Sequence, residues 1–127
     1  MSGRRLLIID DEPQFGILIR RIAEHCGFEV ETTLTAGNFK DAYASFQPDA
    51  IILDLAVPEM DGIELLRWLA DIGCSAPILI ASGFGSKVIE SAKLLGEARG
   101  LAMAGVIAKP FRVAELQAQL TGLELAG

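Results

Sequence analysis

Five side chains with reactive or charge-bearing groups each follow a short apolar run. Asp10 and Asp11 come after Leu6-Leu7-Ile8-Ile9, and Asp54 closes Ile51-Ile52-Leu53. Ser82 comes after Ile78-Leu79-Ile80-Ala81, and Lys109 after Gly105-Val106-Ile107-Ala108. Aspartate is rarely buried without a partner, so a carboxylate at the end of a buried strand points to chemistry or a cation more than to packing. If these ends share one edge of a parallel sheet, three carboxylates, a hydroxyl and an ammonium meet in one cleft. Two carboxylates ~4 Å apart repel by about 4 kcal/mol at an effective dielectric near 20. Such a cluster takes up protons or holds a cation. A hard divalent ion such as Mg2+ accepts oxygen ligands, keeps several waters and tolerates a phosphate oxygen beside them. Asp11 then contacts the metal directly and Asp10 does so through water. Lys109 holds a docked anion, and Ser82 donates to the same anion. Phosphoryl transfer needs such a set. A carboxylate can itself be the nucleophile and carry an acyl phosphate, and Asp54, alone on its strand, is the candidate.

The elements that must position these groups are legible as alternating periodicities. The first run is a buried strand, followed by Pro13 in a first helical turn. Phe15, Leu18, Ile19, Ile22 and Cys26 then recur at helical spacing up to Gly27. Phe28 to Thr33 alternates as a second strand nearer a sheet edge. A weak helical face of Phe39, Ala42, Tyr43 and Phe46 ends at Gln47-Pro48. After the Asp54 strand, Pro58 and Gly62 mark a loop, and Asp61-Gly62-Ile63-Glu64 has the form of a capping box. The helix that follows is punctuated by Gly73 and Pro77. Ser86 is a candidate cap for a long helix ending near Gly100, and Val113, Leu116 and Leu120 mark a final helix. Leu101 to Ala104 fits neither periodicity cleanly. Five strand–helix alternations with such apolar strands predict an α/β fold, a central parallel sheet with helices on both faces. Ligands of such sheets bind outside the carboxyl ends of the strands.

Composition narrows the field. The 127 residues suit one domain, and 51% apolar content is enough for a core. A net charge of -6 argues against nucleic-acid binding. No run approaches the ~20 apolar residues of a membrane span and no signal-peptide core opens the chain, so a soluble cytoplasmic protein is expected. Cys26 and Cys74 are expected to be buried free thiols. Trp68 reads as helix packing, Tyr43 as a half-buried helix residue and His25 as a surface residue. Lys87, Lys93 and Arg99 read as a solvated face, with a docking role as the alternative.

Asp10-Asp11, Leu53-Asp54 with Pro58-Glu59-Met60-Asp61-Gly62, Ser82-Gly83 and Lys109-Pro110-Phe111 resemble, in order, the pattern of the receiver domains of two-component response regulators. The resemblance covers nearly the whole chain, 1–127, with a core over about 4–122 and no output domain. It implies a flavodoxin-like, doubly wound sheet of order 2-1-3-4-5. It implies a phosphoryl group received on Asp54 from a histidine kinase or phosphotransfer protein, so that the domain catalyses only its own phosphorylation and dephosphorylation. It also implies Mg2+ held by Asp11, Asp54 and the backbone carbonyl of Ala56, Lys109 paired with the phosphate, Ser82 moving to it, and a cis Lys109-Pro110 bond. The face formed by the fourth helix, fifth strand and fifth helix would change, to be read by an output domain, an effector or a second copy of the chain.

Two departures from that pattern stand out. Val106 occupies a position usually held by Tyr or Phe, which puts the aromatic part of the switch in doubt. The segment between Ser82 and Lys109 is longer than usual by more than one helical turn. Together they look like receivers joined to EAL-type cyclic-di-GMP phosphodiesterase domains. Three other readings have sequence counts against them. An aspartyl-nucleophile phosphohydrolase needs a second acid where Ala56 stands. A flavin or nucleotide binder needs a phosphate-cradling loop where Asp10-Asp11-Glu12 would repel its ligand. The acidic pair, Asp54 and Lys109 argue against a scaffold that is never phosphorylated, but Val106 keeps that reading open.

Overall fold

A computed structural model describes residues 4–55, 62–83 and 86–123, without the side chains of 86–88. Among the described residues, five strands and five helices alternate. They are β1 (Arg4–Ile9), α1 (Pro13–His25), β2 (Phe28–Thr33), α2 (Ala36–Phe46), β3 (Ala50–Asp54), α3 (Gly62–Asp71), β4 (Ile78–Ser82), α4 (Ser86–Ala98), β5 (Met103–Ala108) and α5 (Val113–Thr121). All pairings are parallel, in the order β2-β1-β3-β4-β5. This is the doubly wound, flavodoxin-like architecture expected.

Strand pleating sorts the core into two halves. Leu7, Ile9, Ile51, Leu53, Ile78 and Ile80 pack with Phe39 of α2, Leu65, Leu66 and Leu69 of α3, and Ala92 of α4. Leu6, Ile8, Ile52, Leu79, Ala81 and Ile107 face the other way, onto Ile19, Ile22 and Ala23 of α1 and Leu116 and Leu120 of α5. Every residue of β3 and β4 is buried, which explains why those strands read as continuous apolar runs. β2, at the sheet edge, alternates instead. Each fully buried Leu or Ile contributes roughly 1.5–3 kcal/mol relative to leaving it in water.

Helix boundaries follow local chemistry. Pro13 opens α1 behind an extended Glu12. The Thr35 hydroxyl caps α2 by accepting from the Asn38 N–H at 3.1 Å. Gly27 and Gly100 stop α1 and α4 with φ of 92° and 84°, a conformation glycine adopts without a Cβ penalty.

Several sequence expectations need adjusting. Leu18 does not join the buried face of α1; it is exposed and Phe15 is only half-buried, while Gly16, Ile19, Ile22 and Ala23 are buried. The face is rotated toward Gly16, whose turn lies against Thr32 at ordinary contact distance. Cys26 is half-exposed and only Cys74 is buried; both are free. α4 already includes Ser86, so its cap position falls at residue 85, outside the described residues. Asp61 of the capping box also lies outside them. The ambiguous stretch resolves in part into strand, since β5 begins at Met103. The pairing of β4 with β5 slips there, Ile78 facing Met103 and Leu79 facing Gly105. Tyr43 and Trp68 pack edge to face at 5.6 Å beside the α2–α3 core, as expected of packing residues, and His25 is exposed.

Candidate functional site at the carboxyl edge of the sheet

The parallel ladder delivers the reactive side chains to one edge. Asp10 follows β1, and its N–H donates to the Thr33 carbonyl at 3.1 Å. Asp54 is the last residue of β3, in register with Ala81 of β4, and Ser82 is in register with Ala108 of β5. The Lys109 N–H donates to the Ser82 carbonyl at 3.1 Å, so the ladder runs to the residue that carries the ammonium. Behind Asp54, the Gly62 N–H donates to the Leu55 carbonyl at 3.1 Å and brings the start of α3 against the end of β3. The Lys109-Pro110 bond is cis, as the resemblance implied.

Asp10, Asp54 and Ser82 are buried, at 2%, 3% and 2% exposure. The Lys109 ammonium stands 2.6 Å from Asp10 Oδ2, 3.4 Å from Asp54 Oδ2 and 3.6 Å from Glu12 Oε1. Asp10 spends its other oxygen on the Glu12 N–H, at 2.9 Å. Burial pulls the Lys109 ammonium down in pKa. The hydrogen bond it donates to Asp10 and the charges of Asp54, Asp10 and Glu12 outweigh that and hold it above its ordinary value. The ammonium also lies over the ring of Phe15, 4.6 Å from its centroid. Asp11, Glu12, Phe15, Asp54, Gly83, Lys109 and Pro110 line a cleft of about 410 Å³.

Carboxylate oxygens of Asp10, Asp11 and Glu12 lie within 4.8 Å of one another. A donor set of carboxylate oxygens alone, partly open to solvent, fits a hard divalent ion such as Mg2+ and would not select zinc. Asp54 stands outside that trio, beside Lys109. Ala56 lies outside the described residues. Glu12 was missed as a potential ligand; its adjacency to Asp10-Asp11 at a strand end was the available signal. Val106 is half-buried on β5 opposite Ile80, and its carbonyl accepts a hydrogen bond from Gln119 Nε2 at 2.7 Å. No helix among the described residues is long and apolar enough to cross a membrane.

Comparison with known proteins bears on the fold and the family. The family model described as response regulator receiver domain matches residues 6–121. The chain is 32% identical over 119 residues to the response regulator MprA of Mycolicibacterium vanbaalenii, covering 94% of this chain and 49% of that protein. The chain therefore spans about half the length of that relative. It is 32% identical over 94 residues to the chemotaxis protein CheY of Thermotoga maritima, covering 72% of this chain and 78% of that one. Among solved structures, the chemotaxis response regulator CheY4 of Vibrio cholerae superposes with a TM-score of 0.78 at 25% identity, covering 94% of this chain and 97% of that one.

Proposed function

The chain belongs to the response regulator receiver domain family, and on that premise we propose that it accepts a phosphoryl group on Asp54 in a Mg2+-dependent reaction. A histidine kinase or phosphotransfer protein is the donor. An Asp54 oxygen attacks phosphorus, the bond from phosphorus to the donor's imidazole nitrogen breaks, and its electron pair leaves with the imidazole. Asp10, Asp11 and Glu12 offer the oxygens that would hold Mg2+, with Asp54 and the Ala56 carbonyl joining as the family resemblance implies. When bound, the ion would offset negative charge on the phosphoryl oxygens. Lys109 exchanges its Asp10 and Asp54 oxygens for a phosphoryl oxygen, and the Ser82 hydroxyl donates to another. The observation that carries this reading is the Lys109 ammonium within 3.4 Å of both Asp10 and Asp54, whose parent strands are distant along the chain.

The test is incubation with Mg2+ and acetyl phosphate, followed by a phosphate-affinity gel. A retarded band in the wild type that disappears in Asp54→Asn is expected. A band that persists in Asp54→Asn removes Asp54 from this role. The phosphorylated domain would bias the α4-β5-α5 face toward a conformation read by an output domain, an effector or a second copy. As output we propose control of an EAL-type cyclic-di-GMP phosphodiesterase. The support is Val106 in place of an aromatic residue and the long segment carrying α4. Flanking coding sequence with no such domain, together with no change in phosphodiesterase activity in trans, would overturn that output.

A further inference from the structure

Among the described residues, three of the four groups set against the Lys109 ammonium are carboxylates, at 2.6, 3.4 and 3.6 Å. On the phosphoryl-transfer reading, on which this inference rests, each of them changes partners. Asp10 and Glu12 turn to a divalent ion, and Asp54 becomes an acyl phosphate. The fourth group is the ring of Phe15, which neither titrates nor binds Mg2+. Phe15 sits in the first turn of α1, where its N–H donates to the Glu12 carbonyl at 3.0 Å. Its ring meets that of Phe111 with centroids 6.3 Å apart, and Phe111 packs on the core beneath α1 and α5. The ring is therefore braced from the same loop that carries Lys109 and Pro110. Two neighbouring elements converge on one aromatic face, and the face lies under the Lys109 ammonium.

We propose that Phe15 is a positioning residue for Lys109, keeping the ammonium in the cleft while its carboxylate partners are drawn away. A cation is attracted to an aromatic face by the ring quadrupole, and more strongly where water is excluded. The Lys109 side chain is only 8% exposed. With the ammonium held there, the incoming phosphoryl oxygens meet a charge already in place.

The test compares Phe15→Leu, which keeps an apolar side chain and removes the quadrupole, with Phe15→Trp, which keeps an aromatic face. NMR of the protein without metal reads the first outcome. The Lys109 ε-methylene protons are shifted upfield by the ring in the wild type and in Phe15→Trp, and the shift is lost in Phe15→Leu. With acetyl phosphate, a donor too small to need protein docking, Phe15→Leu is phosphorylated about fivefold more slowly. Phe15→Trp stays within about twofold of the wild type, and Mg2+ affinity by calorimetry is the same in all three. Equal slowing of both variants, or a wild-type rate with an unchanged Lys109 shift in Phe15→Leu, overturns the proposal. A wild type that shows the upfield shift yet takes up no phosphoryl group sinks the phosphoryl-transfer reading instead, and with it the purpose assigned to Phe15.

Discussion

Lys109 is the residue on which the charge balance of the cleft turns. It neutralises Asp10 and Asp54, both buried, and removing one partner from such a cluster leaves carboxylates without compensation. Lys109→Met should therefore lower stability, by about 3 kcal/mol in the absence of divalent ions. Thermal melts should show the deficit shrinking as Mg2+ is added, because the ion takes over the neutralising role. A deficit independent of Mg2+ would show that Lys109 stabilises by packing alone. Asp10, Asp54, Ser82 and Lys109 were legible in the sequence because each terminates an apolar run, and a parallel sheet puts such termini together. Glu12 and Phe15 were not so placed by pattern. Both lie in the turn that starts α1, and their reach toward Lys109 depends on how that turn folds over the strand ends.

At the scale of elements, two glycines make opposite predictions. A Cβ on Gly62 would lie 2.6 Å from the Leu55 Cα and 2.7 Å from its Cδ2, and backbone cannot yield as a flexible side chain can. Gly62→Ala should cost about 1–3 kcal/mol and, because α3 abuts the end of β3 there, slow phosphorylation of Asp54. A Cβ on Gly16 would meet Thr32 Cγ2 at 3.7 Å, an ordinary contact inside a helix. Gly16→Ala should leave stability unchanged or raise it by up to ~1 kcal/mol. Urea denaturation of both variants checks the pair, and equal effects would contradict the packing described. Strand order and helix number were legible from alternation, together with right-handed crossovers and the family resemblance. The rotation of α1 was not, because hydropathy credits Leu18 and gives no weight to a glycine. The close approach of Gly62 to Leu55 depends on a loop whose path no periodicity encodes.

For the molecule as a whole, two groups tie stability to alkaline pH. The Tyr43 phenol is pushed above its ordinary 10.0, first by burial and then by its hydrogen bond with Cys74. The Lys109 ammonium is held above its ordinary 10.5 despite burial, by Asp10, Asp54 and Glu12. Both folded values are raised, so the folded chain keeps protons that the unfolded chain has released. Their contribution is full below about pH 10 and is lost as pH rises through the folded values. Chemical denaturation from neutral to strongly alkaline pH should show a plateau and then a fall, shallower in Tyr43→Phe. A curve identical in that variant would remove Tyr43 from the account. The slipped pairing between β4 and β5 has a consequence of its own. Met103 points to the α4 side, where it would meet a side chain on Gly96, while Gly105 and Ile107 point to the α5 side. Ala104, between them, is the surplus residue. It works as a length adjuster: the long stretch that carries α4 can arrive one residue out of phase, and the lysine still docks beside Ser82 with its ammonium facing the acids.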